Sequence, residues 1–118
     1  MADSYDVIIV GAGMVGAAAA CLLSKSDTTG KIKPLKIALV EASTAKPFNE
    51  DSFDPRVAAI TEKSRQILTS CGVWETIENL RVSPYLSMDV WDAESTGRIR
   101  FNCHDIHHPN LGHIVERS

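Results

Sequence analysis

The chain has 118 residues, 44% hydrophobic and 23% charged, which suits one small globular domain with a core of its own. A formal net charge of −3 and the lack of a basic stripe argue against a nucleic-acid partner. The longest apolar helical candidate, Met14 to Leu23, is too short to span a bilayer, and the acidic start Met-Ala-Asp-Ser-Tyr-Asp is not expected to be a secretory signal or transit peptide.

The first predicted element is a strand within Tyr5 to Val10. Val7 to Val10 form an unbroken β-branched run, as expected of a strand covered on both faces of a parallel sheet. Gly11-Ala-Gly-Met-Val-Gly16 follows directly, and Met14 to Lys25 is rich in helix-forming Ala and Leu. A bare G-x-G-x-x-G is weak evidence. Placed between a strand and a helix, it becomes a dinucleotide-binding signal. In that role Gly11 allows the turn, Gly13 lets the backbone approach a pyrophosphate, and Gly16 lets the helix pack closely. The positive end of the helix then faces the phosphates.

Asp27 to Pro34 reads as a polar surface loop. Leu35 to Val40 is the second predicted strand, and Glu41 follows it at once. An acid at this point can accept hydrogen bonds from ribose hydroxyls, and its charge disfavours a 2′-phosphate, so FAD or NAD is expected rather than NADP. Glu41 lies 25 residues beyond Gly16, and the polar loop accounts for the spacing.

Ala42 to Pro55 is irregular, with no buried element expected. Asp54-Pro-Arg-Val-Ala-Ala-Ile60 leads into a predicted helix from Glu62 to Cys71, capped by Thr61 and ended by Gly72, with Ile67 and Leu68 on its apolar side. Val73 to Leu80 reads as a second short helix. Leu86 to Asp92 and Gly97 to Phe101 alternate apolar and polar residues around a Ser95-Thr-Gly97 turn, predicting an antiparallel hairpin with one exposed apolar face. The chain closes on Ile114 to Ser118 with no further element predicted. Cys21, Cys71 and Cys103 form no C-x-x-C pair and are expected to be reduced thiols, Cys21 as a small core residue. His104 and His108 have i, i+4 spacing, but Pro109 favours a loop over a metal-binding helix, and no metal is expected.

Tyr5 to Gly16, Glu41, and Arg56 to Ile60 before a helix resemble the start of the aromatic-ring flavoprotein monooxygenases. Val82-Ser-Pro-Tyr85, Met88 to Asp92, Ile99-Arg-Phe101 and Leu111 to Glu116 are similar to the ubiquinone-biosynthesis hydroxylases, most of all the branch acting on 2-polyprenylphenols. The resemblance implies an α/β fold: a Rossmann-like FAD-binding βαβ unit, then helices and an antiparallel hairpin, incomplete without downstream chain. Residues 1–118 would be the N-terminal part of an FAD-binding domain, with the substrate domain absent.

The resemblance further implies FAD with its ADP half on Gly11, Gly13, Gly16 and Glu41. Arg56, in the loop before the helix, would meet the flavin half or the pyrophosphate. The implied reaction inserts one oxygen atom into a phenolic ring, and no residue here is a candidate catalytic acid, base or nucleophile. The implied partners are a polyprenylphenol substrate and an electron donor, either NAD(P)H or a redox protein. A ubiquinone-biosynthesis complex stays open as a further partner. A cytoplasmic protein is expected, with peripheral contact to the inner membrane left open. The 118 residues alone are expected to be inactive. Two other readings also stay open: an inactive nucleotide-binding or assembly module, and an NAD-dependent dehydrogenase fragment.

Overall fold

The computed structural model describes residues 3–25 and 29–117, and the chain divides into two units, Met1–Lys46 and Pro47–Ser118. Asp27 and Thr28 of the predicted surface loop lie outside the described residues. Among the described residues no helix is long and apolar enough to cross a membrane.

The first unit is a β-α-β arrangement. Strand β1 (Val7–Val10) runs parallel to β2 (Ile37–Val40), in register from Val7 opposite Ile37 to Val10 opposite Val40. Helix α1 (Met14–Leu23) lies between them in the chain and packs on the pair. Asp6 fastens the start of the pair: its N–H donates to the Lys36 carbonyl at 2.8 Å, and its carboxylate accepts from the Lys36 N–H at 2.7 Å. The expectation of a strand covered on both faces is corrected here. Val7 and Ile9 are half-buried on the side of α1, whereas Ile8 and Val10 are 65% and 84% exposed. A two-stranded sheet with one helix on it has one uncovered face among the described residues. Cys21 is likewise only half-buried, because no residue of α1 is fully buried.

The second unit is built on an antiparallel sheet that the sequence reading did not contain. Its strands are β3 (Val57–Thr61), β4 (Val82–Tyr85) and β7 (Gly112–Glu116), with β7 in the middle. The chain therefore does close on an element, which corrects the expectation for its last residues. β7 pairs with β3 from Glu116 opposite Val57 to Gly112 opposite Thr61, and with β4 from Val115 opposite Val82 to Gly112 opposite Tyr85. Pro84 sits on an edge strand, where its missing N–H costs the ladder least.

Helices α2 (Glu62–Ser70) and α3 (Trp74–Asn79) sit between β3 and β4 in the chain. Thr61 caps α2 through its hydroxyl, which accepts from the Ser64 N–H at 3.2 Å. Gly72, at φ +77°, ends it: the Gly72 N–H donates to the Thr69 carbonyl and the Val73 N–H to the Leu68 carbonyl. Ile60, Trp74 and Val115 form the buried centre, with Ala58, Leu68, Ile77 and Val82 packed around them. Leu68 thus faces inward as expected, while Ile67 is exposed.

β5 (Ser87–Trp91) and β6 (Arg98–Asn102) form the expected hairpin. Met88 opposes Phe101 and Val90 opposes Ile99, so these four share one face, and all four are exposed. On the other face the Asp89 carboxylate accepts from the guanidinium groups of Arg98 and Arg100, which hold it well below the ordinary carboxylate range. A 3-10 helix (Cys103–Ile106) follows, with Cys103 buried at its start.

Candidate functional site

The glycine loop is shaped by three distinct demands. At the end of β1 the chain must turn sharply, and Gly11 does so at φ +101° while its N–H donates to the Val40 carbonyl at 2.7 Å. That bond ties the turn to the end of β2. Gly16 meets a packing demand. A Cβ built there would lie 1.9 Å from the Gly11 carbonyl oxygen and 3.5 Å from the Ile9 side chain. Gly13 is different from both. It has ordinary extended torsions, φ −66° and ψ −179°, and a Cβ there would meet nothing within 4 Å. The chain itself therefore does not require glycine at 13. Open space at this backbone is what a cradle for a bulky ligand needs.

Helix α1 begins at this opening. Gly13 is its N-cap, no side chain caps it, and no acid lies in its first turn. The first-turn N–H groups of a helix lack intrahelical acceptors, and the dipole makes this end attractive to an anion.

Glu41 closes the loop from the other side. Its carboxylate accepts from the Ala12 N–H at 2.7 Å through Oε2 and from the Ser43 N–H at 3.0 Å through Oε1. The Ala12 bond, followed by the Ser43 bond, lowers its pKa from the ordinary 4.5. An ionised carboxylate offers about four acceptor positions, so the bonds from Ala12 and Ser43, with the smaller contribution of the Ala42 N–H, leave acceptor capacity on Glu41. Glu41 is thus a structural clasp on the glycine loop as well as an acceptor. The sequence showed the acid and its position but not the clasp, which depends on two backbone N–H groups.

A lowered folded-state pKa has a definite consequence. The stability that Glu41 adds is complete above its unfolded value, near 4.5, and is lost as pH falls through the lower folded value. In thermal melts of Glu41→Gln against the parent chain, the parent should be more stable at about pH 6, with the gap narrowing towards about pH 3. A gap independent of pH would show that the ionised carboxylate is not the clasp.

Arg56 belongs to the second unit. The expectation that it lies in a loop running into a helix is corrected: it stands directly before β3, and that strand intervenes before α2. An Ala-rich stretch of five residues paired to β7 accounts for the difference. The Asp54 carboxylate accepts from the Arg56 N–H at 2.8 Å, its Nε at 3.2 Å and its Nη2 at 2.9 Å. This pairing raises the guanidinium pKa above its ordinary value. The Arg56 side chain remains 67% exposed, so its cation is accessible to an anion from solvent.

No helix runs from His104 to His108, in line with the loop expected there. The 3-10 helix stops at Ile106, and His107 takes the left-handed conformation, so His104 and His108 do not share a helix face. Among the described residues no group of three or more His, Cys, Asp or Glu is placed to hold a metal ion. Sequence reading also missed a cavity of about 460 Å³ lined by Glu62, Arg65, Trp74, Glu78, His108 and His113. None of the predicted site residues lines it. Arg65 holds the Glu62 carboxyl down to about 2 there.

Comparison with known proteins gives the chain relatives along nearly its whole length. It is 40% identical over 116 residues to the ubiquinone biosynthesis monooxygenase COQ6, mitochondrial, of Xenopus tropicalis, covering 97% of this chain and 24% of that protein. It is 36% identical over 116 residues to the human protein of the same name, with 97% and 24% covered. It is 32% identical over 114 residues to the 3-demethoxyubiquinol 3-hydroxylase of Escherichia coli, covering 96% of this chain and 27% of that one. Its homologues are thus hydroxylases of ubiquinone biosynthesis, and the chain spans about a quarter of their length. No family model matches it.

Proposed function

We propose that this chain is the FAD-binding segment of a flavin-dependent monooxygenase that hydroxylates a polyprenylated phenol in ubiquinone biosynthesis. The observation that carries the reading is the open space at Gly13, at the uncapped start of α1, in a chain whose homologues are ubiquinone-biosynthesis monooxygenases. The β-α-β unit is then a Rossmann-like cradle for the ADP half of FAD. Gly11 turns the chain beneath the pyrophosphate, Gly13 admits it, Gly16 seats the helix, and the spare acceptor positions of Glu41 take the ribose hydroxyls. Arg56 is the anion partner for the flavin half or the pyrophosphate. Bound FAD supplies the oxygen-transfer chemistry, and this segment binds and orients it. The further partners of this reading are a polyprenylphenol substrate, NAD(P)H or a redox protein as electron donor, and a ubiquinone-biosynthesis complex. Its place is cytoplasmic, peripheral to the inner membrane, where an apolar substrate partitions.

The direct test is titration of the chain with FAD, followed by quenching of flavin fluorescence and by absorbance near about 450 nm, the isoalloxazine band. Saturable binding, competed by ADP, is the expected result. Failure of ADP to compete would remove the ADP cradle. Arg56→Ala should weaken FAD affinity about tenfold, the scale of one charge-assisted hydrogen bond, with the melting temperature changed by only a few degrees, because exposed ion pairs add little stability. A clear loss of stability with FAD affinity intact would make Arg56 a structural residue instead.

A further inference from the structure

The segment before Arg56 contains no helix or strand, yet it is heavily fastened, and one side chain does most of the fastening. Arg81 stands between α3 and β4. Its Nη2 donates to the carbonyls of Asn49 and Glu50, each at 3.0 Å. Its Nη1 donates to the Ser52 carbonyl at 3.0 Å and to Glu116 Oε1 at 2.7 Å. The guanidinium also stacks with two rings of the same segment, Phe48 at 4.9 Å and Phe53 at 4.2 Å from their centroids. Residues 48–53 are therefore wrapped around a single cation.

Glu116 carries the connection onward. It is the last residue of the central strand β7, and its side chain is only 10% exposed. While Oε1 meets Arg81, Oε2 accepts from the Asp54 N–H at 2.9 Å. Asp54 in turn holds the Arg56 backbone and guanidinium, and the Arg56 carbonyl accepts from the Arg117 N–H at 2.9 Å. A continuous path runs from Arg81 through Glu116 and Asp54 to Arg56.

We infer that Arg81 is a positioning residue: with Glu116 it moulds the 48–56 segment and sets the orientation in which Arg56 is presented to the dinucleotide. The link to FAD rests on the reading of Arg56 given above. The geometry calls for arginine in particular. Three backbone carbonyls and one carboxylate accept from one guanidinium that also lies over two rings, and a lysine ammonium offers neither the fork nor the flat face. The pairing is also poorly replaced by water, because removing the guanidinium leaves the Glu116 carboxylate, only 10% exposed, without its cation.

The test uses Arg81→Lys, which keeps the charge, and Glu116→Gln, which keeps the shape, in the full chain. Amide exchange at Asp54 and Arg56 should speed up at least about tenfold in Arg81→Lys, with exchange in α1 unchanged, since local opening costs less than global unfolding. FAD affinity, read by flavin fluorescence, should fall about as far as in Arg56→Ala. The double variant Arg81→Lys/Arg56→Ala should fall no further, which is the mark of two residues acting through one contact. Multiplicative losses would overturn the proposal, as would unchanged exchange at Asp54 and Arg56. If Arg56→Ala alone leaves FAD affinity unchanged, the reading of Arg56 fails and takes the link to FAD with it. Faster exchange in Arg81→Lys would still show Arg81 moulding the segment, so the two failures are distinguishable. Should Arg81→Lys not fold, Glu116→Gln carries the same exchange and affinity comparisons.

Discussion

Gly16→Ala should cripple the first unit, although alanine is the better helix former. Propensity alone favours the substitution by about 1 kcal/mol. The new Cβ, however, would stand 1.9 Å from the Gly11 carbonyl oxygen and 3.0 Å from the Gly11 carbonyl carbon. Those are backbone atoms of a turn that cannot yield freely. Gly11 is held at φ +101°, its N–H is bonded to Val40, and the adjacent Ala12 N–H is bonded to Glu41. Either α1 lifts off the loop or the turn unhooks from β2. Overpacking against unyielding neighbours costs at the upper end of about 1–3 kcal/mol or beyond. That outweighs the propensity gain and consumes much of the stability of so small a unit. The measurement is a thermal melt by circular dichroism with exchange at the Gly11 amide. A variant that melts at or above the parent temperature, with Gly11 still protected, would refute the close approach.

Local signals in the sequence carried the parts of the fold that depend on neighbours in the chain. The glycine loop was legible because Gly11 and Gly16 answer demands within a few residues and the loop lies between a strand and a helix. Helix α2 was legible because Thr61 and Gly72 mark its ends, and the hairpin because Met88, Val90, Ile99 and Phe101 alternate with polar residues. The antiparallel sheet was not legible for the opposite reason. Val57 pairs with Glu116, and Val82 with Val115, across long stretches of chain. The strands themselves are poorly marked: β3 contains two alanines, β4 a proline, and β7 starts on a glycine. Only assembly reveals that Val115 belongs to the core.

The candidate site divides along the same line. Gly11, Gly13, Gly16 and Glu41 could be named because strand, turn, helix and terminal acid form a recognisable order. The bond from the Ala12 N–H to Glu41 could not be foreseen, since nothing about residue type at 12 announces it. Arg81 is the extreme case. Three of its acceptors are backbone carbonyls in an irregular segment, and no pattern of side chains points to them. Sequence reading found the residue that faces the ligand in this proposal, Arg56, and passed over the residue that holds its surroundings.

Gly13→Val should do the reverse of Gly16→Ala: leave the fold and remove binding. At φ −66° and ψ −179° a β-branched residue is sterically admissible, and a Cβ meets no atom of the chain within 4 Å. Valine is a poorer N-cap than glycine, which costs on the order of 1 kcal/mol or less. The melting temperature should therefore fall by only a few degrees. The space that the side chain fills is the space assigned to the pyrophosphate, so FAD and ADP affinity should drop by about a hundredfold or more, the scale of a bulky group blocking close backbone approach. Gly13→Ala should fall between parent and valine in affinity and, being a similarly poor N-cap, lose no more stability than valine. Paired melts and flavin-fluorescence titrations on the three chains decide it. A graded loss of affinity with the fold intact in all three chains places the ligand on Gly13. Unchanged FAD affinity in Gly13→Val would mean that the opening at the start of α1 is not where the dinucleotide lies, and the phosphate cradle would have to be sought elsewhere in the chain.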